Sequence, residues 1–148
     1  MGNPLLHAVI DTIHLGRPVP KDAFHVAFTG TEDYIPHMGI AALTVGRHNR
    51  DMNICFHFFV NQMTDFEKEQ LAELAGITDS PVEIHRIDDR CFKTLLLSDG
   101  VAAFFYRFLV APTLAPQTDR VLYLDGDMMC RGSLKYLRDL DFKGNMVA

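Results

Sequence analysis

Two aspartates separated by a glycine, Asp125-Gly126-Asp127, are the residues whose types and spacing most clearly suggest chemistry. They follow the apolar segment 121–124, which has the composition of a β-strand. Side chains at positions i and i+2 of an extended segment point to the same side, so both carboxylates can bind one hard divalent cation such as Mg²⁺ or Mn²⁺. Met128 and Met129 follow, and carboxylates between apolar segments need a cation partner, which favours a metal site over a solvated turn.

Six residues that follow another apolar segment, 25–28, offer groups that could hold a nucleoside. They are Thr29, Gly30, Thr31, Glu32, Asp33 and Tyr34. The ring of Tyr34 could stack on a base, while Thr31 or Asp33 could bind ribose or base groups. An ordinary loop between a strand and a helix explains these residues equally well. Neither G-x-G-x-x-G nor G-x-x-x-x-G-K-S/T occurs, so dinucleotide-binding and P-loop sites lack their usual sequence support.

Other reactive side chains give weaker indications. Arg107 lies in the apolar segment 104–109, where it needs a carboxylate or phosphate partner, unless it extends to solvent or forms a structural ion pair. The seven histidines show no zinc-binding spacing, so we interpret them as surface or packed core residues, with His57 in the core. Three cysteines without a C-x-x-C pair indicate reduced thiols in the cytosol.

The elements that must position these residues alternate along the chain. Strands are predicted at 25–28, 53–60, 82–87 and 121–124, and helices at 36–45, 65–75, 100–111 and 133–140. The nearly continuous apolar run 53–60 is typical of a strand that is covered on both faces. This alternation predicts an α/β fold with a mainly parallel sheet, in which ligands bind at the carboxyl ends of the strands.

Local signals predict where several elements begin and end. Thr64 and Glu67 form a capping box, so a helix begins at Asp65, and Gly76 is predicted to end it. Pro112 is predicted to end the helix that contains Arg107. Residues 1–24 are predicted to be a leading segment that precedes the main domain. Within that segment, Leu5, Leu6, Val9, Ile10 and Ile13 have the spacing of a short amphipathic helix.

Composition excludes several classes of protein. The chain has 148 residues, a net charge of −5 and 48% hydrophobic residues, which excludes disorder as a description of the whole. The acidic balance disfavours nucleic-acid binding, since phosphates require a basic face. No apolar run reaches the ~18 residues of a membrane span, and the first 13 residues lack the pattern of a signal peptide.

Together, the turn at 29–34, Arg107 and the two aspartates resemble the retaining glycosyltransferases of family 8, and especially the bacterial lipopolysaccharide core galactosyl- and glucosyltransferases. The resemblance runs from about His25 to Asn145 and is most specific over the segment RVLYLDGDMMCRGSLKYLRDLD. It implies a GT-A fold with a Rossmann-like sheet, a UDP-glucose or UDP-galactose donor and a Mn²⁺ or Mg²⁺ ion. The implied reaction moves the hexose to a lipopolysaccharide core acceptor, in the cytoplasm and with peripheral contact at the inner membrane.

The resemblance also implies roles for particular residues. Residues 29–34 would line the uridine pocket, and Asp125 and Asp127 would hold the metal that bridges the diphosphate. Asp125 and Gly126 would touch the nucleotide, and Arg107 would contact the donor sugar or the diphosphate. A divalent cation suits this role because the leaving nucleoside diphosphate develops negative charge.

Two departures from the family pattern shape the prediction. Thr31 stands where the family usually has an aspartate, which removes a carboxylate contact to the nucleoside. Family members are roughly twice as long, and their C-terminal half carries the acceptor pocket, the residue near the anomeric carbon and a metal-binding histidine. Residues 25–148 are therefore predicted to be a truncated nucleotide-sugar-binding domain, with the catalytic residues in the missing half.

Two other functions stay open on the sequence alone. One is a catalytically inactive remnant that at most binds UDP and metal. The other is a phosphotransferase like the haloacid dehalogenases, although those proteins continue the motif with Gly-Thr near the N-terminus, whereas Met128 and Met129 follow it here, near the C-terminus.

Overall fold

A mainly parallel sheet organises the computed structural model, which describes residues 7–90, 92 and 102–145. In these residues five strands form one sheet in the order β1-β4-β3-β2-β5. The strands are β1 (Val9–Leu15), β2 (Phe24–Gly30), β3 (Ile54–Val60), β4 (Val82–Ile87) and β5 (Val121–Tyr123). Strands β2 to β5 are parallel, and β1 pairs with β4 in the antiparallel sense. The predicted α/β fold is confirmed.

Helices cover both faces of this sheet. They are α1 (Ile35–His48), α2 (Asp65–Thr78), α3 (Arg107–Leu114) and α4 (Lys135–Arg138), with 3₁₀ turns at Glu32–Tyr34 and Ala103–Phe105. Helices α1 and α2 pack on a core that includes Phe28, Phe56 and Phe58. Helix α3 packs on the other face, against Ala27 and Phe59. Every residue of β3 is buried, as predicted for a strand between two layers. In the described part of the chain, no helix is long and apolar enough to span a membrane.

The helix predicted for the leading segment is wrong, because residues 9–15 form strand β1. Ile13 pairs with Ile84 and Leu15 with Val82, and both β1 side chains pack against the core under α1 and α2. The β-branched residues Val9 and Ile13 favour this extended state, and the backbone of β4 supplies hydrogen-bond partners for the backbone of β1. Leu5 and Leu6 lie outside the described residues.

Several helix ends differ from the prediction, since α1 extends to His48 and α3 begins only at Arg107. The capping box is confirmed, since Thr64 Oγ1 accepts from Glu67 N and Glu67 accepts from Thr64 N. However, α2 continues through Gly76, because Asp79 adopts the left-handed conformation (φ 50°) that ends it. Helix α3 likewise continues past Pro112, and the carbonyl left without a partner belongs to the exposed Phe108. The helix predicted at 133–140 is only the single turn α4.

The register of β2 and β5 determines what lies at one edge of the sheet. His25 is opposite Val121 and Ala27 is opposite Tyr123, and Leu124 N donates to Ala27 O at 3.0 Å. The two strands therefore end side by side. The chain segments that follow them, 29–34 and 125–127, meet at the carboxyl edge where open α/β sheets bind ligands.

Candidate functional site

An open cleft of about 440 Å³ lies where these two segments meet. Most of the predicted site residues line it, together with residues from the segment before α3. The lining residues are Thr29, Gly30, Thr31, Tyr34, Ala103, Phe104, Arg107, Tyr123, Asp125, Gly126 and Asp127. Residues that are far apart in the sequence therefore share one cavity, as expected for a binding site at this edge.

Two of the predicted residues do not line the cleft. Glu32 and Asp33 form the 3₁₀ turn that carries Tyr34. One carboxylate oxygen of Glu32 is buried and has no hydrogen-bond partner among the described residues. Asp33 is exposed, and the ring of Tyr34 is 48% exposed at the mouth of the cleft. Contact of Glu32 or Asp33 with a nucleoside stays a prediction.

Tyr123 connects the two sides of the cleft, although it is not among the residues predicted from the sequence. Its hydroxyl lies 3.0 Å from Thr29 Oγ1 and donates to Asp125 Oδ1 at 3.2 Å. Because the phenol has one proton, Thr29 donates to Tyr123 when Tyr123 donates to Asp125. Burial raises the pKa of Tyr123, so the phenol keeps this proton. One feature of the sequence indicates its role: Tyr123 and Asp125 are two residues apart, which places both side chains on one side of an extended segment.

Arg107 has the carboxylate partner that its position demands. Its Nη2 lies 3.7 Å from Asp125 Oδ1, and its guanidinium carbon lies 5.2 Å from the centre of the Tyr123 ring. Arg107 Nε also donates to Phe104 O at 3.0 Å, which directs the side chain over the cleft. The ion pair with Asp125 is long and both groups are partly exposed, so it is weak. The guanidinium can therefore exchange Asp125 for a phosphate at little cost.

Gly126 allows the aspartate loop to lie against helix α1. The residue is buried, and a Cβ atom there would stand 2.6 Å from Met38 Cγ and 3.6 Å from Tyr34 Cδ1. Any larger residue would push the loop away from Met38. The glycine thus sets the separation between Tyr34 and the two carboxylates.

The two carboxylates are exposed, so the prediction that their apolar neighbours bury them is wrong. The side chain of Asp125 is 59% exposed and Asp127 is exposed, and the neighbouring Met128 and Met129 face solvent as well. The pair still offers the oxygen ligands that Mg²⁺ and Mn²⁺ prefer. Within the described ranges, no third carboxylate, histidine or cysteine completes a ligand cluster with them. A cation held here would therefore need further oxygen ligands, such as diphosphate or water.

Comparison with known sequences decides the family. Residues 25–148 match the sequence model of glycosyl transferase family 8. The chain belongs to this family. A lipopolysaccharide 1,3-galactosyltransferase of Salmonella typhimurium is 29% identical over 128 residues, which are 86% of this chain and 38% of the relative. A lipopolysaccharide glucosyltransferase of Escherichia coli is 25% identical over 144 residues, which are 97% of this chain and 42% of the relative.

Solved structures confirm the fold of this family 8 chain. An active-site mutant of LgtC superimposes with a TM-score of 0.69 at 24% identity, covering 80% of this chain and 42% of LgtC. The galactosyltransferase LgtC in complex with donor and acceptor sugar analogues gives a TM-score of 0.66 at 23% identity, covering 80% and 43%. The GT-A-like arrangement is thus confirmed. The chain spans about two fifths of the length of these relatives.

Proposed function

We propose that residues 25–148 form the donor-binding part of a hexosyltransferase that uses UDP-glucose or UDP-galactose. The observation that carries the proposal is the shared cleft, in which Tyr34, Arg107 and the Asp125–Asp127 loop face one cavity. An aromatic ring, a guanidinium and a carboxylate pair suit the base, the diphosphate and a metal ion of one nucleotide sugar.

Each side chain of the cleft has a role in this proposal. The exposed ring of Tyr34 stacks on the uracil, with Thr29, Gly30 and Thr31 beside it. Arg107 leaves Asp125 and binds a phosphate oxygen. Asp125 and Asp127 hold Mg²⁺ or Mn²⁺, which when bound neutralises charge on the departing UDP. Tyr123 keeps Asp125 in position through its phenol proton.

The acceptor and the reaction are proposed from the relatives. Their names describe transfer of galactose or glucose in lipopolysaccharides, so we propose a lipopolysaccharide core acceptor. The resemblance to the family and the two carboxylates of the cleft lead us to propose a retaining, metal-dependent transfer at the membrane surface. Membership of family 8 argues against the phosphotransferase alternative. Release of UDP from UDP-glucose or UDP-galactose by this chain would separate an active transferase from a remnant that only binds UDP and metal.

Calorimetry with UDP tests the donor site. The chain is titrated with UDP in Mn²⁺ and again after chelation of the metal. Asp125→Ala and Asp127→Ala should each weaken binding in Mn²⁺ by more than about tenfold, because loss of an outer partner of a metal site alone costs ~10–100-fold. The control is Asp11→Ala, which removes an exposed aspartate of β1 and should change nothing. Unchanged UDP binding in both cleft variants would refute the proposal.

A further inference from the structure

Three buried side chains in the interior of the sheet bring potential metal ligands together, away from the cleft. We call His57, Glu83 and His85 the His–Glu cluster. His57 Nδ1 lies 3.0 Å from His85 Nε2 and 3.2 Å from Glu83 Oε2, and the last two atoms are 3.7 Å apart. All three residues are at most 3% exposed. They lie on the sheet face that α3 covers, on the adjacent strands β3 and β4.

These separations suit a tetrahedral metal ion. Two ligands of Zn²⁺, each about 2.0–2.1 Å from the ion, stand roughly 3.3 Å apart in a tetrahedral site. The three distances of the cluster bracket this value. Two imidazole nitrogens and one carboxylate oxygen are also a common zinc ligand set.

Each cluster residue has its other polar atom held by a neighbour. His57 Nε2 lies 2.8 Å from His25 Nδ1, His85 Nδ1 lies 3.0 Å from Thr12 Oγ1, and Glu83 Oε1 lies 3.0 Å from His14 Nδ1. Such outer partners fix the orientation and tautomer of metal-binding histidines. With protons on His57 Nε2 and His85 Nδ1, the inner nitrogens His57 Nδ1 and His85 Nε2 both carry lone pairs that a metal ion can bind. In this tautomer three acceptor atoms lie within 3.7 Å of one another and need a shared ion, whereas in the other tautomer His57 Nδ1–H donates within the cluster and no metal is needed.

A second trio nearby, His25, Cys55 and His57, is the weaker candidate. Burial raises the pKa of the Cys55 thiol far above its ordinary value, and the charge of Glu83 adds to this effect. The thiol therefore stays protonated, whereas a metal binds the thiolate. His25 instead acts as an outer partner of His57.

We propose that His57 Nδ1, Glu83 Oε2 and His85 Nε2 bind one Zn²⁺ ion inside the sheet. Gln117, whose amide nitrogen donates to Glu83 Oε2 at 3.1 Å, would supply the fourth ligand through its oxygen after rotation of the amide. The ion joins β3 to β4 and, through Thr12 and His14, secures the antiparallel edge strand β1. Its role is structural and independent of nucleotide binding.

Zinc titration of metal-stripped protein tests this site. The protein carries Asp125→Asn and Asp127→Asn, so that the cleft does not contribute ligands. Titration with ZnCl₂ should show one site by calorimetry, a rise in Tm, and, with CoCl₂, the intense visible absorption of tetrahedral cobalt. In the same background, His85→Gln and Glu83→Gln should weaken zinc binding more than about tenfold. His48→Gln, which changes an exposed histidine of α1, is the matched control.

The alternative is a single proton shared within the cluster. In that case the metal-stripped protein shows no stoichiometric zinc binding and no rise in Tm, and the proposal is overturned. Zinc binding in Glu83→Gln and His85→Gln that is as strong as in the parent protein also overturns the proposal. Circular dichroism checks that each variant is folded, and Glu83→Gln keeps the shape of the buried side chain if the histidine variant does not fold.

Discussion

At the residue scale, the phenol of Tyr123 determines how Asp125 faces the cleft. It donates to Asp125 Oδ1 and accepts a hydrogen bond from Thr29 Oγ1. Arg107 packs over the same ring. One residue thus connects a β2 hydroxyl, a proposed metal ligand and a proposed phosphate ligand. The position is half-buried, so phenylalanine would keep the packing and remove only the hydrogen bonds.

Tyr123→Phe should therefore weaken UDP binding in Mn²⁺ without unfolding the chain. The loss of one hydrogen bond to a carboxylate predicts a change of roughly tenfold in Kd. Calorimetry measures the change, and Tyr136→Phe, at a tyrosine that is 75% exposed, is the control. A Kd equal to that of the unmodified chain would show that Tyr123 does not position Asp125.

Gly126 gives a second prediction at this scale. Gly126→Ala places a methyl group 2.6 Å from Met38 Cγ, so the variant should lose about 1–3 kcal/mol of unfolding free energy. Chemical denaturation measures this loss. Gly132→Ala is the matched control, because nothing lies within 4 Å of the added atom there. Equal stability of the two variants would contradict the close packing of the loop on α1.

At the element scale, the capping box of α2 is a local sequence signal that correctly predicts where the helix begins. Thr64 and Glu67 satisfy two amides at the start of the helix, as their spacing predicted. Thr64→Ala should cost about 1 kcal/mol of unfolding free energy, as measured by denaturation. Glu69→Ala, on the exposed face of α2, should cost much less. A Thr64→Ala variant as stable as the Glu69→Ala control would show that the cap contributes nothing.

Other elements could not be predicted from local sequence. The spacing of Val9, Ile10 and Ile13 fits a helix as well as a strand, and the pairing of β1 with β4 decides between them. Parallel strands such as β3 were predictable because continuous apolar runs report burial on both faces. Helix α3 ends later than Pro112 predicts, because the lost hydrogen bond falls at an exposed position.

Part of the candidate site was predictable because its polar segments directly follow predicted strands. Residues 29–34 and 125–127 follow strands, so their polar groups could be assigned to the carboxyl edge without knowledge of strand order. The pairing of β2 with β5, which brings the two segments together, is a long-range feature. Tyr123 and the His–Glu cluster also depend on strand order and register, which one sequence does not reveal.

At the scale of the whole molecule, net charge limits how the chain can bind a diphosphate. The chain carries a charge of −5, and its cleft contributes two carboxylates but one arginine. A divalent cation supplies the positive charge that the protein lacks, so UDP binding should depend on the metal. We further propose that residues 25–148 form the donor-binding unit, while the acceptor side of the relatives lies in the part that this chain does not match.

The cleft between β2 and β5 is the proposed donor site. Hydrogen–deuterium exchange of the chain, with and without UDP and Mn²⁺, tests the claim most directly because it locates the bound nucleotide. Protection should appear in peptides that cover residues 29–34, 103–107 and 123–127, and it should disappear in the Asp125→Ala variant. Protection confined to other segments, or the same protection in Asp125→Ala, would show that the nucleotide does not bind in this cleft.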